Sequence, residues 1–214
     1  MDDYLASTAA IEAGHPAVQA KAREATAGAW STSEKATRLF AFVRDEIPYN
    51  LYMVSMHPDD FRASFVLEVG KGYCVQKAVL LCALARAAGI PARLALARIR
   101  NHRVPAGLKA RLGTDEFPRH GYTQFLLGGR WVSAAPTFDA ALCARVRVPV
   151  VEFDGHADAL LPAFALDGSP YIEYLEHYGH FADLPLDFIT SRTADIWGRE
   201  KRAWLRPEDD TGYP

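Results

Sequence analysis

Cys74 is the residue of this chain most plainly placed for covalent chemistry. It follows Gly70-Lys-Gly-Tyr73 and opens Val75-Gln-Lys-Ala-Val-Leu-Leu-Cys-Ala-Leu-Ala-Arg-Ala-Ala88, a run that reads as a buried helix. A thiolate is the reactive form of cysteine, and the partial positive charge at a helix N-terminus favours it. Gly70 and Gly72 let the backbone turn sharply and a substrate approach closely, and the Cys74 amide is available to an oxyanion. The same residues equally describe a small buried hydrophobe at the start of a core helix, so from this stretch alone both readings stand. Cys82 and Cys143 have no such placement and read as structural.

A nucleophilic cysteine needs a base, usually histidine, and a third group that orients the base. Of His15, His57, His102, His120, His156, His177 and His180, only His120 opens a predicted strand, where a sheet would fix its direction. The others fall near turns, loops or a late helical pattern.

The elements that must carry these residues follow from period and punctuation. Pro16 starts a short alanine-rich helix, and Ser31 with Glu34 has capping-box spacing ahead of Ala36, Leu39, Phe40, Val43 and Ile47, which recur at helical intervals up to Pro48. Tyr49 to Ser64 reads as irregular. The cysteine helix ends at Gly89 and Pro91. Ala92 to Arg100 then alternates as a strand, a polar loop spans Asn101 to Pro118, and His120–Leu127 and Arg130–Ala135 flank Gly128-Gly129 as a tight hairpin. Pro149–Phe153 reads as a further short strand and Tyr171–Tyr178 as helix. Helices first and strands after give an α+β fold. The charged tail, Pro207 to Pro214, is expected to fray.

Composition narrows the partners. The 214 residues are 50% hydrophobic with a formal charge of −2, and the sequence pI is about 6.4. That balance carries no electrostatic footprint for nucleic acid or an anionic membrane surface. The N-terminus lacks a signal-peptide pattern and no apolar run reaches a membrane span, so a cytoplasmic protein is expected. Three widely spaced cysteines do not form a disulfide framework.

Gly72-Tyr-Cys74, the helix end Leu84-Ala-Arg-Ala-Ala-Gly-Ile-Pro-Ala-Arg93, and His120-Gly-Tyr122 followed by Gly128-Gly-Arg-Trp-Val132 together resemble the transglutaminase-like superfamily. Lys35 to Tyr49 looks like the helix that precedes the cysteine in bacterial members. The resemblance covers about residues 4–140. It implies a papain-like core, with the nucleophile helix packed on an antiparallel sheet that carries histidine and an acid. It also implies thiol chemistry on amides, with Cys74 as nucleophile. Residues 141–206 resemble extensions of bacterial members and are expected to pack on the core, making 1–214 one domain.

The acid departs from the family pattern. The resemblance places it at Ala135, four residues after Trp131 and just before Pro136-Thr137; the nearest carboxylate is Asp139. If Gly128-Gly129 forms a two-residue loop, Leu127 faces Arg130, His120 faces Thr137, and positions 135 and 139 are both diagonal to His120. Such diagonals are roughly 7–8 Å apart, within reach of a carboxylate and an imidazole. Asp139 is therefore the expected third member.

The sequence thus predicts a Cys74–His120–Asp139 triad acting on a peptide, protein or small amide substrate. Amidase- or peptidase-type hydrolysis is the leading reading, and transglutaminase-type transfer to an amine is its alternative. A binding module that has lost activity is the alternative of a different class, motivated by Ala135. No cofactor and no metal are expected; Glu173, His177 and His180 have metal-ligand spacing on the late helix but no recognised ligand motif. Arg98 and Arg100, on one strand face, are candidates for holding a substrate carboxylate, with a solvated face as the plainer reading.

Overall fold

A computed structural model of the chain describes residues 2–198 and 202–203; the expected fraying of Pro207–Pro214 lies outside them. Helix α1 (Pro16–Ala25) begins where the His15 ring accepts from the Ala17 amide. In α2 (Thr32–Glu46) Ser31 Oγ accepts from Glu34 N–H, while the Glu34 carboxylate reaches back to the Trp30 amide. Its predicted apolar positions Ala36, Leu39, Phe40 and Val43 are buried. The stretch read as irregular, Tyr49 to Ser64, holds two 3₁₀ turns and runs into the first residues of α3 (Ala63–Val69). Helix α4 (Cys74–Ala87) is buried at every position from Val75 to Arg86, because it is surrounded on all sides.

The sheet has the order β3-β2-β1-β4 and every neighbouring pair is antiparallel. Strand β1 (Ala92–Asn101) follows α4, β2 (Glu116–Leu127) follows helix α5 (Ala106–Leu112), and β3 (Arg130–Ala134) closes the hairpin. Leu127 faces Arg130 as the two-glycine loop predicts, with positive φ at both glycines. After α6 (Ala140–Val146) the chain supplies β4 (Ile172–Phe181) and α7 (Leu186–Trp197).

Three expectations are corrected. The polar loop read over Asn101–Pro118 holds α5 and the first residues of β2, which pair with the end of β1. Tyr171–Tyr178 is strand rather than helix: the open edge of β1 offers a hydrogen-bonding partner, and that pairing overrides a weak local pattern. Pro149–Phe153 forms no strand. Val151 and Phe153 are buried, but the Val151 carbonyl goes to the Arg44 guanidinium instead of a ladder.

The α4–β2 contact positions the site. A Cβ on Gly121 would sit 2.8 Å from the Val75 Cα, so only glycine lets β2 lie against the first turn of α4. Thr123, two residues on and on the same face, donates from its hydroxyl to the Ala78 carbonyl of α4. At the other end Arg86 donates to the carbonyls of Ala6, Ala92 and Ala182, tying the N-terminal segment and the end of β4 to the same helix. A buried carboxylate secures the turn before α3: Asp60 accepts from Ser55 Oγ, from Arg202 and from the Ala203 amide.

Gly121→Ala should force β2 off α4 and destabilise the protein by about 1–3 kcal/mol, as overpacking does. The melting temperature should fall by roughly 3–10 °C; an unchanged melting curve would refute the close contact. Asp60 gives a pH test. Burial raises its carboxyl, but Arg202, Ser55 and the Ala203 amide outweigh burial and hold it below the usual carboxylate range. Its contribution is therefore complete above the unfolded value, near ~4, and is lost as pH falls through the folded one. Wild-type stability should drop more steeply than that of Asp60→Asn in thermal denaturation between pH 6 and 3, and parallel curves would count against it.

Candidate active site

The start of α4 is held from three sides. The Tyr73 amide donates to Gln76 Oε1 and Gln76 Nε2 donates to the Asp60 carbonyl, so a wholly buried glutamine fixes the turn before the cysteine. Gly72 is bonded on both sides, donating to Pro48 and accepting from Asn50. Lys77, also fully buried, donates to the Arg44 carbonyl; burial lowers its ammonium to about 7, against the pull of the Asp139 and Asp45 carboxylates.

Cys74 is half-buried, and its sulfur faces the amides of Gly121, Val75 and Cys74 itself. These donors favour a thiolate, as a helix N-terminus should, but burial outweighs them and pushes the thiol up to about 11. The helix position by itself promised a lowered value; the enclosure reverses it.

His120 is 1% exposed. Burial, and secondarily His177, lowers its imidazole to about 3. The resting pair is thus a neutral thiol and a neutral imidazole. Both line one cavity of about 20 Å³ together with Asn101, Phe117, Thr137 and Phe138, room for a single water. They do not hydrogen-bond to each other. A second cavity of about 50 Å³ also reaches Cys74, walled by Leu51, Val54, Tyr73, Glu116, Phe117 and Arg119. The hydroxyls of Thr137 and Tyr73 are buried without a hydrogen-bond partner, one at each cavity. Buried orphan hydroxyls are costly.

Asp139 makes no hydrogen bond to His120. Its Oδ1 accepts from the Leu142 amide at 2.8 Å, capping α6, and its Oδ2 accepts from the Tyr49 amide at 3.1 Å. The β2–β3 ladder runs as expected to Thr123–Ala134 and stops there. Beyond it Ala135 donates to the Ala159 carbonyl, so the chain turns toward residues of the extension before the diagonal can form. Among the described residues the one ring-nitrogen bond of His120 goes elsewhere, to the Tyr174 hydroxyl at 3.4 Å from Nε2.

The remaining candidates are engaged in structure. Arg98 and Arg100 share Glu116, and Glu176 and Glu173 complete the network, leaving neither guanidinium free for a substrate. Cys82 and Cys143 are buried, facing Thr123 and the Phe138 carbonyl. The helical spacing of Glu173, His177 and His180 lapses because they lie on β4, and among the described residues no group of three metal-ligating side chains converges. Tyr73, Thr137 and Tyr174 carry no spacing signal. Tyr174 was legible only through the aromatic and β-branched content of its segment, which favours strand.

The transglutaminase-like superfamily model matches residues 19–136. A crystal structure of a candidate cysteine protease from Cytophaga hutchinsonii superposes with a TM-score of 0.53 at 17% identity, covering 84% of this chain and 46% of its own. The periplasmic domain of TgpA from Pseudomonas aeruginosa is similar at 23% identity, with a TM-score of 0.42, 56% of this chain and 42% of its own covered. This chain therefore spans less than half the length of these structures. No curated protein matches. With the cysteine helix packed on the antiparallel sheet and the family model spanning more than half of its length, the chain belongs to the transglutaminase-like superfamily.

Proposed function

We propose that the protein carries out thiol-dependent acyl chemistry on an amide or related carbonyl, with Cys74 as nucleophile and His120 as base. The observation that supports this most is that both residues wall one cavity where three backbone amides meet the sulfur. The thiol proton passes to His120 as the sulfur–carbon bond forms. First-turn amides of α4, which have no partner within the helix, are the available donors to the oxyanion. The imidazolium then gives its proton to the leaving amine as the carbon–nitrogen bond breaks, leaving a thioester. Water attack, with His120 again taking a proton, releases the acid and restores the thiol.

Because the resting pair is neutral, deprotonation accompanies attack instead of preceding it. Hydrolysis of a peptide, protein or small amide is the reading preferred here; an amine acceptor in place of water would make the same thioester a transferase intermediate. Leu51, Val54, Leu112 and Phe117 in the cavity beside Cys74 suit an apolar acyl portion, with Glu116 and Arg119 as the charged groups of the same wall.

Incubation with p-nitrophenyl acetate should acylate Cys74 in wild type and give no adduct in Cys74→Ala, read by intact mass and peptide mapping. Adding cadaverine separates the acceptors: amine incorporation outrunning hydrolysis would reverse the preferred reading. Absence of any adduct would favour the binding module. Iodoacetamide labelling of Cys74 should climb steadily from pH 6 to pH 10, since the folded thiol titrates near 11, and should exceed that of the enclosed Cys82 and Cys143. A plateau below pH 7 would mean that a preformed thiolate exists.

Asp139 gives an independent check. As a helix cap its loss in Asp139→Ala should cost about 1 kcal/mol, a melting shift of roughly 2–4 °C, with acylation of Cys74 close to wild type. A folded Asp139→Ala protein that no longer acylates would reinstate it as the third member.

A further inference from the structure

We infer that Tyr174, on the strand contributed by the chain beyond the family-matched residues, is the positioning residue for His120, its hydroxyl accepting the Nε2 proton in the place where an acid is absent. The inference rests on the Cys74–His120 reading. It starts from the floor of the sheet. On β1, Ala97 lies between His120 of β2 and His177 of β4, and Ala95 lies between Tyr122 and His180. Leu94 and Leu96 share the sheet face of Thr123 and Gly121, toward α4, so the opposite face of β1 carries Ala95 and Ala97 beside Tyr122, His120, His177 and His180, while Tyr174 pairs with Ile99 one step further along and reaches His120 diagonally. Two short side chains leave space above β1, and the rings from β2 and β4 meet across it.

The result is an aromatic enclosure around the imidazole. Tyr122 lies nearly parallel to the His120 ring at 6.2 Å, and Tyr174 meets its edge at 5.9 Å between centroids. Tyr174 is itself fixed, stacked on His177 at 5.4 Å and accepting from the Leu161 amide at 3.3 Å; Tyr122 bonds His177 Nδ1 at 3.2 Å. The groups that face the imidazole are therefore Tyr122, Tyr174, His177 and, across the cavity, Cys74. Among the described residues no carboxylate bonds to it.

For His120 to take a proton from the thiol, one ring nitrogen must be bare. With Nε2–H donating to Tyr174, Nδ1 is the bare nitrogen. The opposite arrangement, Tyr174 donating to Nε2, leaves the proton on Nδ1 and no base. A phenol orients the ring without placing a negative charge beside it, which suits a pair that is neutral at rest and passes its proton during attack.

The test reads the tautomer directly. In ¹⁵N-histidine-labelled wild type, long-range proton–nitrogen correlations should show His120 as the Nε2–H tautomer at pH 7. In Tyr174→Phe, which keeps the ring and deletes the hydroxyl, the two tautomers should mix, and acylation by p-nitrophenyl acetate should slow about tenfold in kcat, the worth of one hydrogen bond, with KM little changed. A structural role alone would lower the melting temperature and leave the tautomer as it was. An Nδ1–H tautomer in wild type overturns the inference without any variant, as does a Tyr174→Phe protein with wild-type tautomer and rate. His120→Gln separates the two claims: if it acylates like wild type, the Cys74–His120 reading itself fails, whereas loss of acylation in His120→Gln with none in Tyr174→Phe removes Tyr174 alone.

Discussion

The close approach of β2 to the first turn of α4 governs the rest of the molecule. It is possible because position 121 has no side chain, and it brings the Gly121 amide to the Cys74 sulfur and the neighbouring residue His120 to the same cavity. A helix held this tightly against a sheet buries most of its surface, and α4 carries Val75, Ala78, Val79, Leu80, Leu81 and Leu84 with no exposure at all. Its two buried cations, Lys77 and Arg86, are accommodated by backbone carbonyls, so each also fastens a distant part of the chain to the helix.

Enclosure has an electrostatic consequence. Three amides and a helix terminus are arranged to favour a thiolate, yet desolvation is the larger effect on both Cys74 and His120 and acts on them in opposite directions. An ion pair is thereby disfavoured until a polar group enters.

The chain after residue 136 is part of the machinery of the sheet. It pairs β4 with β1, supplies the Ala159 segment that takes over the edge of β3, and brings Tyr174 and His177 against His120. The family match ends before all of these contacts, so the surroundings of the histidine are built from two separated parts of the sequence.

Local patterns determined the cysteine helix and its stop at Gly89, the capped α2, the alternating β1 and the hairpin with Leu127 opposite Arg130, because each depends on residues a few positions apart. They also singled out Cys74 and His120, which the fold brings to one cavity. The hydrogen bonds of Asp139 were out of reach. A register argument carried to Asp139 assumed that β3 continues past Ala134, whereas Ala135 turns to bond Ala159 and Asp139 caps α6. The segment around Tyr174 read as helix, since its local pattern is weak and its strand pairing is with residues some seventy positions earlier. Nor could a helix terminus reveal the ionisation of Cys74: that depends on how completely the sheet and the 3₁₀ turns enclose the thiol, a property of packing between distant residues and not of any neighbour in sequence.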